Sequence, residues 1–425
     1  MIAWLLISFF VLLFLGVPIA MSLGLSAMGG ILFLGGGSTV TIAQRMFEGM
    51  NSFALLAIPL YTFAGFTMSK GGISKRLMDF CYSIVGHIYG GLAHVNVLSS
   101  MIFAGISGSA VADTAGVSGM FMPEMVRKGY SKNFTVAVTA ISSTIGIIIP
   151  PSIPMVVIAG ICGISTGKLF LGGIIPGVLC GLAQMIVSYF MAKKEGVPKE
   201  PGHFTLGPVL HGLWESWPAL LMPIIIVGTI TMGIVSPTEA GVIAVVYGLF
   251  AGGIIYRELK WEDIKFAFAE TVRTSGRIFI GIGAAKLYTV MLTTAGFDKW
   301  VAKTMLGFST NPTVILIVIL LIFFIVTMFM ESIATLTLFM PILYPIALGV
   351  GINPIVLSVL ITVVIGVGLV TPPVGMCIYV ACDLMDVTVG EVFPTLVPFI
   401  AATFVCIALM VAFPQLILLP TYLMA

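Results

Sequence analysis

The chain has 425 residues, 59% hydrophobic and only 8% charged, with a mean hydropathy of +1.17 and a formal net charge of +2. Soluble domains carry about 25% charged residues, so the composition defines an all-α polytopic membrane protein with room for about ten crossings. It excludes a soluble catalytic domain: the longest polar interval, Lys193 to Trp217, reads as a loop. The net charge says nothing about partners, and nucleic acid is not among those expected.

The N-terminus, MIAWLLISFFVLLFLGVPIA, lacks a basic leader, and the first cationic residue is Arg45. That argues against a cleaved signal peptide and favours an N-terminus outside. Gly16–Pro18 ends a first crossing and Gly35–Gly37 a second. Thr39 to Asn51, with Gln44, Arg45 and Glu48, reads as interfacial, and Ser52 to Met68 spans.

From Asn96 the chain reads NVLSSMIFAGISGSAVADTAGVSGMFMPEMVRKGY, an apolar run interrupted at Gly105–Ser109. Each flank falls short of the roughly 20 residues that cross a hydrocarbon core. The pattern predicts a re-entrant helical hairpin with a Gly/Ser tip. TVAVTAISSTIGIIIPPS follows, broken at Gly146 and Pro150–Pro151, and predicts a discontinuous helix. Non-helical backbone at membrane depth survives only where it is buried or lines a cavity.

Crossings are expected at Leu169–Met191, Ala219–Val235 and Ala240–Tyr256. The charged stretch Arg257–Arg277 has the periodicity of a surface helix, and Ile278–Thr294 spans. The hairpin pattern then returns: MFMESIATLTLFMPILYP from Met328 and VLSVLITVVIGVGLVTPPVGM from Val356. Asp113 and Pro123 match Glu331 and Pro341 at an offset of 218, whereas Pro150–Pro151 match Pro372–Pro373 at 222. Interrupted segments at corresponding places in two halves mark the binding region of an inverted-repeat transporter. A last crossing runs from Val392 to Leu419.

The expected organisation is therefore scaffold over 1–93, a first hairpin and broken helix over 94–167, and further scaffold with a surface helix over 168–306. A second hairpin and broken helix occupy 307–390, and a C-terminal crossing 391–425. Basic residues at Lys70–Arg76, Arg127–Lys132, Lys193–Lys199 and Arg257–Arg277 place those loops in the cytoplasm. Both termini then lie outside, and the hairpins open on opposite faces.

Asp113 and Glu331 are the carboxylates deep in the hairpins, and an intramembrane acid marks a functional site by default. Each could instead pin its tip by accepting backbone N–H bonds. The tips add the hydroxyls of Ser107, Ser109, Thr335 and Thr337. The breaks add Ser143, Thr144 and Gly146 in one half and Gly366, Gly368 and Thr371 in the other. Hydroxyls and unwound carbonyls suit a small hard cation, and half-helix N-termini favour an anionic substrate. His87, His94, His203 and His211 read as interfacial, and the six cysteines as packing residues.

ISGSAVADTAGVSGMFMPEM with IIPPSIPMV, and MESIATLTLFMP with GLVTPPVGM, resemble the large membrane subunit of tripartite ATP-independent periplasmic (TRAP) transporters, the DctM-like family. The resemblance covers essentially the whole chain. It implies an elevator-type secondary transporter of the bacterial inner membrane, driven by Na+. It also implies a small four-helix membrane subunit and a periplasmic substrate-binding protein that delivers an organic acid. Sialic acid and C4-dicarboxylates are among the family's substrates, and the chain looks somewhat more like the sialic-acid branch. Two other readings are weaker. A channel needs an open pore. An intramembrane serine protease at the G-x-S-G sequences needs a base beside its serine, and the histidines that follow lie in a polar loop. No phosphate-binding G-x-x-x-x-G-K-[ST] sequence is present.

Overall fold

A computed structural model describes residues 1–35, 38–197 and 205–423. The apolar runs fold as helices because backbone polar groups in lipid must be satisfied within the segment. α1 (Ile2–Phe14) and α2 (Ile19–Leu34) pair through Trp4 on Gly29. Amphipathic α3 (Thr39–Met50) and a 3-10 turn (Phe53–Leu56) lead into α4 (Ala57–Lys70) and α5 (Ile73–Val85).

The first hairpin is α6 (Gly91–Ser107) and α7 (Ala110–Arg127). Its tip turns at Gly108, whose φ of 67° suits glycine, and Ser109 caps α7. The discontinuous helix is α8 (Lys132–Ser143), a 3-10 turn (Thr144–Ile147), a break through Pro150–Pro151, and α9 (Ile153–Cys162). Next come α10 (Thr166–Glu195), α11 (Leu206–Thr231), α12 (Pro237–Phe250) and α13 (Trp261–Thr294), the last bent by 71° from α14 (Phe297–Phe308). α15 (Pro312–Thr327) and α16 (Ser332–Gly349) form the second hairpin. α17 (Pro354–Gly368) and α18 (Met376–Met385) are its broken helix. α19 (Val389–Ala412) and short α20 (Gln415–Leu418) follow.

Among the described residues six helices are long and apolar enough to cross a membrane, α16 with 18 residues being one; α6 and α15, at 17 and 16, fall short. The expected ten crossings therefore resolve into fewer long helices and several short ones. The last crossing ends at Ala412 rather than Leu419, because Pro414 cannot continue it. The expected polar loop at 193–217 is mostly helix: α10 runs to Glu195 and α11 starts at Leu206. His203 and Lys199 lie outside the described residues.

Arg257–Arg277 does not form a separate surface helix. Its residues from Trp261 are the first half of α13, continuous over 34 residues with the segment Ile278–Thr294 that was expected to span; α13 passes as a span only together with α14. Phe266 and Phe268 anchor it edge-on to Phe66 and Phe63 of α4, with Lys70 4.9 Å over the Phe266 ring.

The repeat is wider and more regular than the sequence pattern suggested. α7 and α16, and likewise α8 and α17, start 222 residues apart, and so do the two proline pairs. Turn bonds obey the same spacing: Tyr130 N to Met125 O recurs as Ile352 N to Ala347 O. α9 and α18, and α10 and α19, are 223 apart; α3 and α13 start 222 apart, and α4 and α13 end 224 apart. The scaffold helices therefore belong to the duplication. The offset of 218 is a slip of four residues, about one helical turn: Pro123 corresponds to Pro345, not Pro341.

Candidate functional site

Each hairpin tip is fastened to its own broken helix. Gly108 O accepts from Ile153 N at 3.2 Å, just past one proline pair, and Met328 O accepts from Val374 N at 3.0 Å, just past the other. The two breaks also meet, since a Cβ on Gly366 would lie 3.3 Å from Thr144 Cβ.

In the first half the expected residues converge. Asp113 is fully buried; its Oδ1 accepts from Ser107 Oγ, while its Oδ2 has no hydrogen-bond partner among the described residues. That free oxygen faces Gly146, where no Cβ could fit. One residue on, Thr114 Oγ1 and Ser143 Oγ share a 2.7 Å bond, and Thr144 Oγ1 donates to Ile141 O. Ser109 stands apart as the cap of α7, accepting from Ala112 N at 3.5 Å. A buried carboxylate with an uncommitted oxygen among hydroxyls matches the donor set of a hard cation. Among the described residues no group of three His, Cys, Asp or Glu could hold a metal, so a transition-metal centre is not offered.

The second half is built differently, and the expectation of matched acids fails. At the spacing of 222, Asp113 corresponds to Thr335 and Glu331 to Ser109. Glu331 caps α16: Oε2 accepts from Ile333 N at 2.9 Å and Ala334 N at 3.2 Å, and Oε1 from Ser332 Oγ at 2.8 Å. Thr335, Thr337 and Thr371 each donate to a carbonyl four residues back, on Glu331, Ile333 and Val367. α17 stays helical through Gly368 instead of unwinding at Gly366 as expected, so what remains open to a ligand there is its C-terminal end and the break from Leu369. Thr327, which the sequence reading passed over, lies at the second tip with its Cβ 2.7 Å from where a Gly368 Cβ would be.

Also missed was a buried polar ladder behind the first site. Asn96 Nδ2 donates to Thr139 Oγ1 at 2.7 Å, Ser142 Oγ to Asn96 Oδ1 at 3.1 Å, and Ser100 Oγ to Ser142 Oγ at 3.1 Å. It locks α6 to α8. Its counterpart α15 carries no polar side chain between Thr313 and Thr327. A polar residue every third or fourth position in an apolar helix was the available signal. His94 is buried, not interfacial, with Nε2 3.1 Å from Tyr89 O. Ser107 Oγ donates to the Asp113 carboxylate, with no histidine bonded to it among the described residues.

Paired hairpins and broken helices, duplicated along the chain around a buried carboxylate, define a membrane transporter rather than an enzyme. The chain belongs to the family described as the tripartite ATP-independent periplasmic transporter, DctM component, whose model matches residues 6–416. It is 37% identical over 393 residues to the isethionate TRAP transporter permease protein DctMQ of Oleidesulfovibrio alaskensis, covering 92% of this chain but 62% of that protein. It is 35% identical to the sialic acid TRAP transporter large permease protein SiaM of Vibrio cholerae (96% and 95% covered). It is 36% identical to the C4-dicarboxylate large permease DctM of Pseudomonas aeruginosa (95% and 94%). Among solved structures the fold is similar to MtrF of Neisseria gonorrhoeae, at a TM-score of 0.61 and 14% identity, with 88% of this chain and 84% of that chain covered. YdaH of Alcanivorax borkumensis gives 0.59 and 13%, with 89% and 88% covered. Large permeases of this family work with a small membrane subunit and a periplasmic binding protein.

Proposed function

We propose that this chain is the large subunit of a sodium-coupled importer of a carboxylated organic acid, of the sialic acid or C4-dicarboxylate class, working by an elevator movement. A small membrane subunit and a binding protein complete it. It sits in the bacterial inner membrane with both termini in the periplasm. The observation that carries the reading is Asp113, a buried carboxylate with a free oxygen between a hairpin tip and a break in a spanning helix. A cation there would involve Asp113 with Ser107, Thr114 and Ser143; a second would rest on carbonyls of Gly366–Thr371 near Thr335 and Thr337. Filling both orders the tips and prepares the space between them for an anion.

The mobile body comprises α6–α10 and α15–α20. α10 and α19 pack on each other and on α8 and α17, so on this reading both travel with the hairpins, whereas the expected boundary at 168 put α10 in the scaffold and 391–425 stood only as a C-terminal crossing. α1–α5 and α11–α14 stay fixed. The test is uptake of N-acetylneuraminate and of succinate by liposomes holding both membrane subunits, with the matching binding protein outside. Uptake is expected to require an inward sodium gradient, and uptake that persists without any ion gradient overturns the reading.

A further inference from the structure

A cleft of about 430 Å³ opens beside the first hairpin, lined by Val111 of α7 and by Pro373, Val374, Met376, Tyr379 and Val380 of the second break and α18. Its walls are apolar yet open: Met376 is 37% and Tyr379 49% exposed. One repeat away the same face is shut. Ile333 stands for Val111, Ile153 for Met376 and Val156 for Tyr379, and they are 6%, 4% and 1% exposed. One half of the hairpin body leaves bare what the other half covers.

The cover on the closed face comes from the scaffold. α9 packs on the 3-10 turn Phe53–Leu56 and on α4. A Cβ at Gly160 would lie 3.6 Å from Ser52 Oγ and 3.9 Å from Ala54 Cβ. Carried across the repeat, Gly160 becomes Asp383, at the α9-to-α18 spacing of 223. Residues 52–55 become 274–279 of α13, at spacings between 222 and 224. The one charged residue in that window is Arg277. Arg277 and Asp383 are both exposed, and among the described residues neither has an ionic partner.

We infer that in the opposite transport state the cleft walled by Val111 and Tyr379 closes on α13, and that Asp383 then pairs with Arg277. The inference rests on the alternating reading above, for which it names the second seal. Packing of the apolar walls against α13 accompanies the closure. The ion pair, present in one state and absent in the other, biases the equilibrium only by that difference. The two seals are one surface used twice, and Ala54–Gly160 and Arg277–Asp383 exclude each other.

The test uses the full chain with its membrane subunit in liposomes, its six native cysteines replaced and Tyr379→Cys added as a reporter of the open cleft. Arg277→Asp or Asp383→Arg should each raise maleimide labelling of the reporter severalfold, and the double reversal should restore the starting rate. Without the reporter, Arg277→Cys with Asp383→Cys should form a disulfide under copper phenanthroline, read as two thiols lost to a maleimide mass tag. Ala54→Cys with Gly160→Cys is the control link. If the control forms but Arg277→Cys and Asp383→Cys never join, and charge reversal leaves labelling unchanged, the pair is wrong while alternation stands. If both links form together in one molecule, the seals are not alternatives, and the elevator reading falls with the inference.

Discussion

The carboxylate of Asp113 lies directly on Gly146, and its outer oxygen occupies the place a Cβ would take. The contact ties the first turn of a hairpin helix to the exact point where the neighbouring helix unwinds. Any side chain at 146 must displace the carboxylate. Gly146→Ala and Asp113→Asn should therefore both raise the sodium concentration that half-saturates uptake. A charge-assisted interaction is worth about 1.5–3 kcal/mol, or roughly tenfold to a hundredfold in affinity. An unchanged sodium curve in both folded variants would take Asp113 out of the ion site.

Glu331 is expected to behave otherwise, because its oxygens are committed to the start of α16. Glu331→Ala removes a helix cap at a cost of about 1 kcal/mol, and Glu331→Gln keeps an acceptor and costs less. Thermal unfolding of the purified chain should rank wild type, Gln, Ala in falling order, with half-saturating sodium the same in all three. A sodium shift as large as that of Asp113→Asn would instead make Glu331 a ligand.

Asn96 holds the ladder between α6 and α8 through both ends of its amide. Asn96→Ala takes one bond from each of two buried hydroxyls, which keep the carbonyls of Thr135 and Thr139 as partners, and interhelical hydrogen bonds in membranes average about 0.6 kcal/mol. Adding Ser100→Ala, Thr139→Val and Ser142→Ala should recover most of the loss, since these remove the remaining members of the ladder together and the second hairpin holds together without such bonds. No recovery in thermal unfolding would mean the ladder does more than join two helices.

At the scaffold's edge, Arg76 pairs with Glu258 at 2.7 Å, stacks 4.2 Å over Tyr256 and bonds Gly72 O at 2.8 Å, while Ser216 Oγ donates to the Arg76 carbonyl. Gly72 has φ of 77° with the Glu258 carboxylate against it. Arg76→Ala should cost about 1 kcal/mol by loss of the stack and pair. Gly72→Ala should cost as much or more, through a left-handed backbone that alanine resists. Matching losses in melting temperature would check both, and Arg76→Lys should not rescue.

The sequence revealed the hairpins, the breaks and their order, because Gly and Pro interrupting apolar runs have few other uses in a membrane. It misplaced the register of α16 for a physical reason: Pro341 and Pro345 lie one turn apart on the same helical face, so either can be matched to Pro123. That single slip made Asp113 and Glu331 look equivalent. The alternative that each acid pins its tip through backbone N–H bonds holds for Glu331 and not for Asp113, and which acid would do so was out of reach. Nothing in the spelling of Glu331 says that its oxygens close on Ile333 and Ala334, or that one oxygen of Asp113 is left over. The extension of the duplication into α3, α4 and α13 was hidden because one half breaks at Asn51–Ser52 where the other runs unbroken.

That unbroken run has a consequence for how the molecule floats. α13 is one rod about 51 Å long, with charged residues and Trp261 at one end and the Tyr288–Leu5 bond near the other. An amphipathic end keeps to the headgroup layer, and a helix does not shorten under load. The rod therefore works as a plumb line: it fixes the depth of α1, α2 and α4 against the lipid surface, and in the elevator movement proposed above the cargo displacement would fall wholly on the hairpin body.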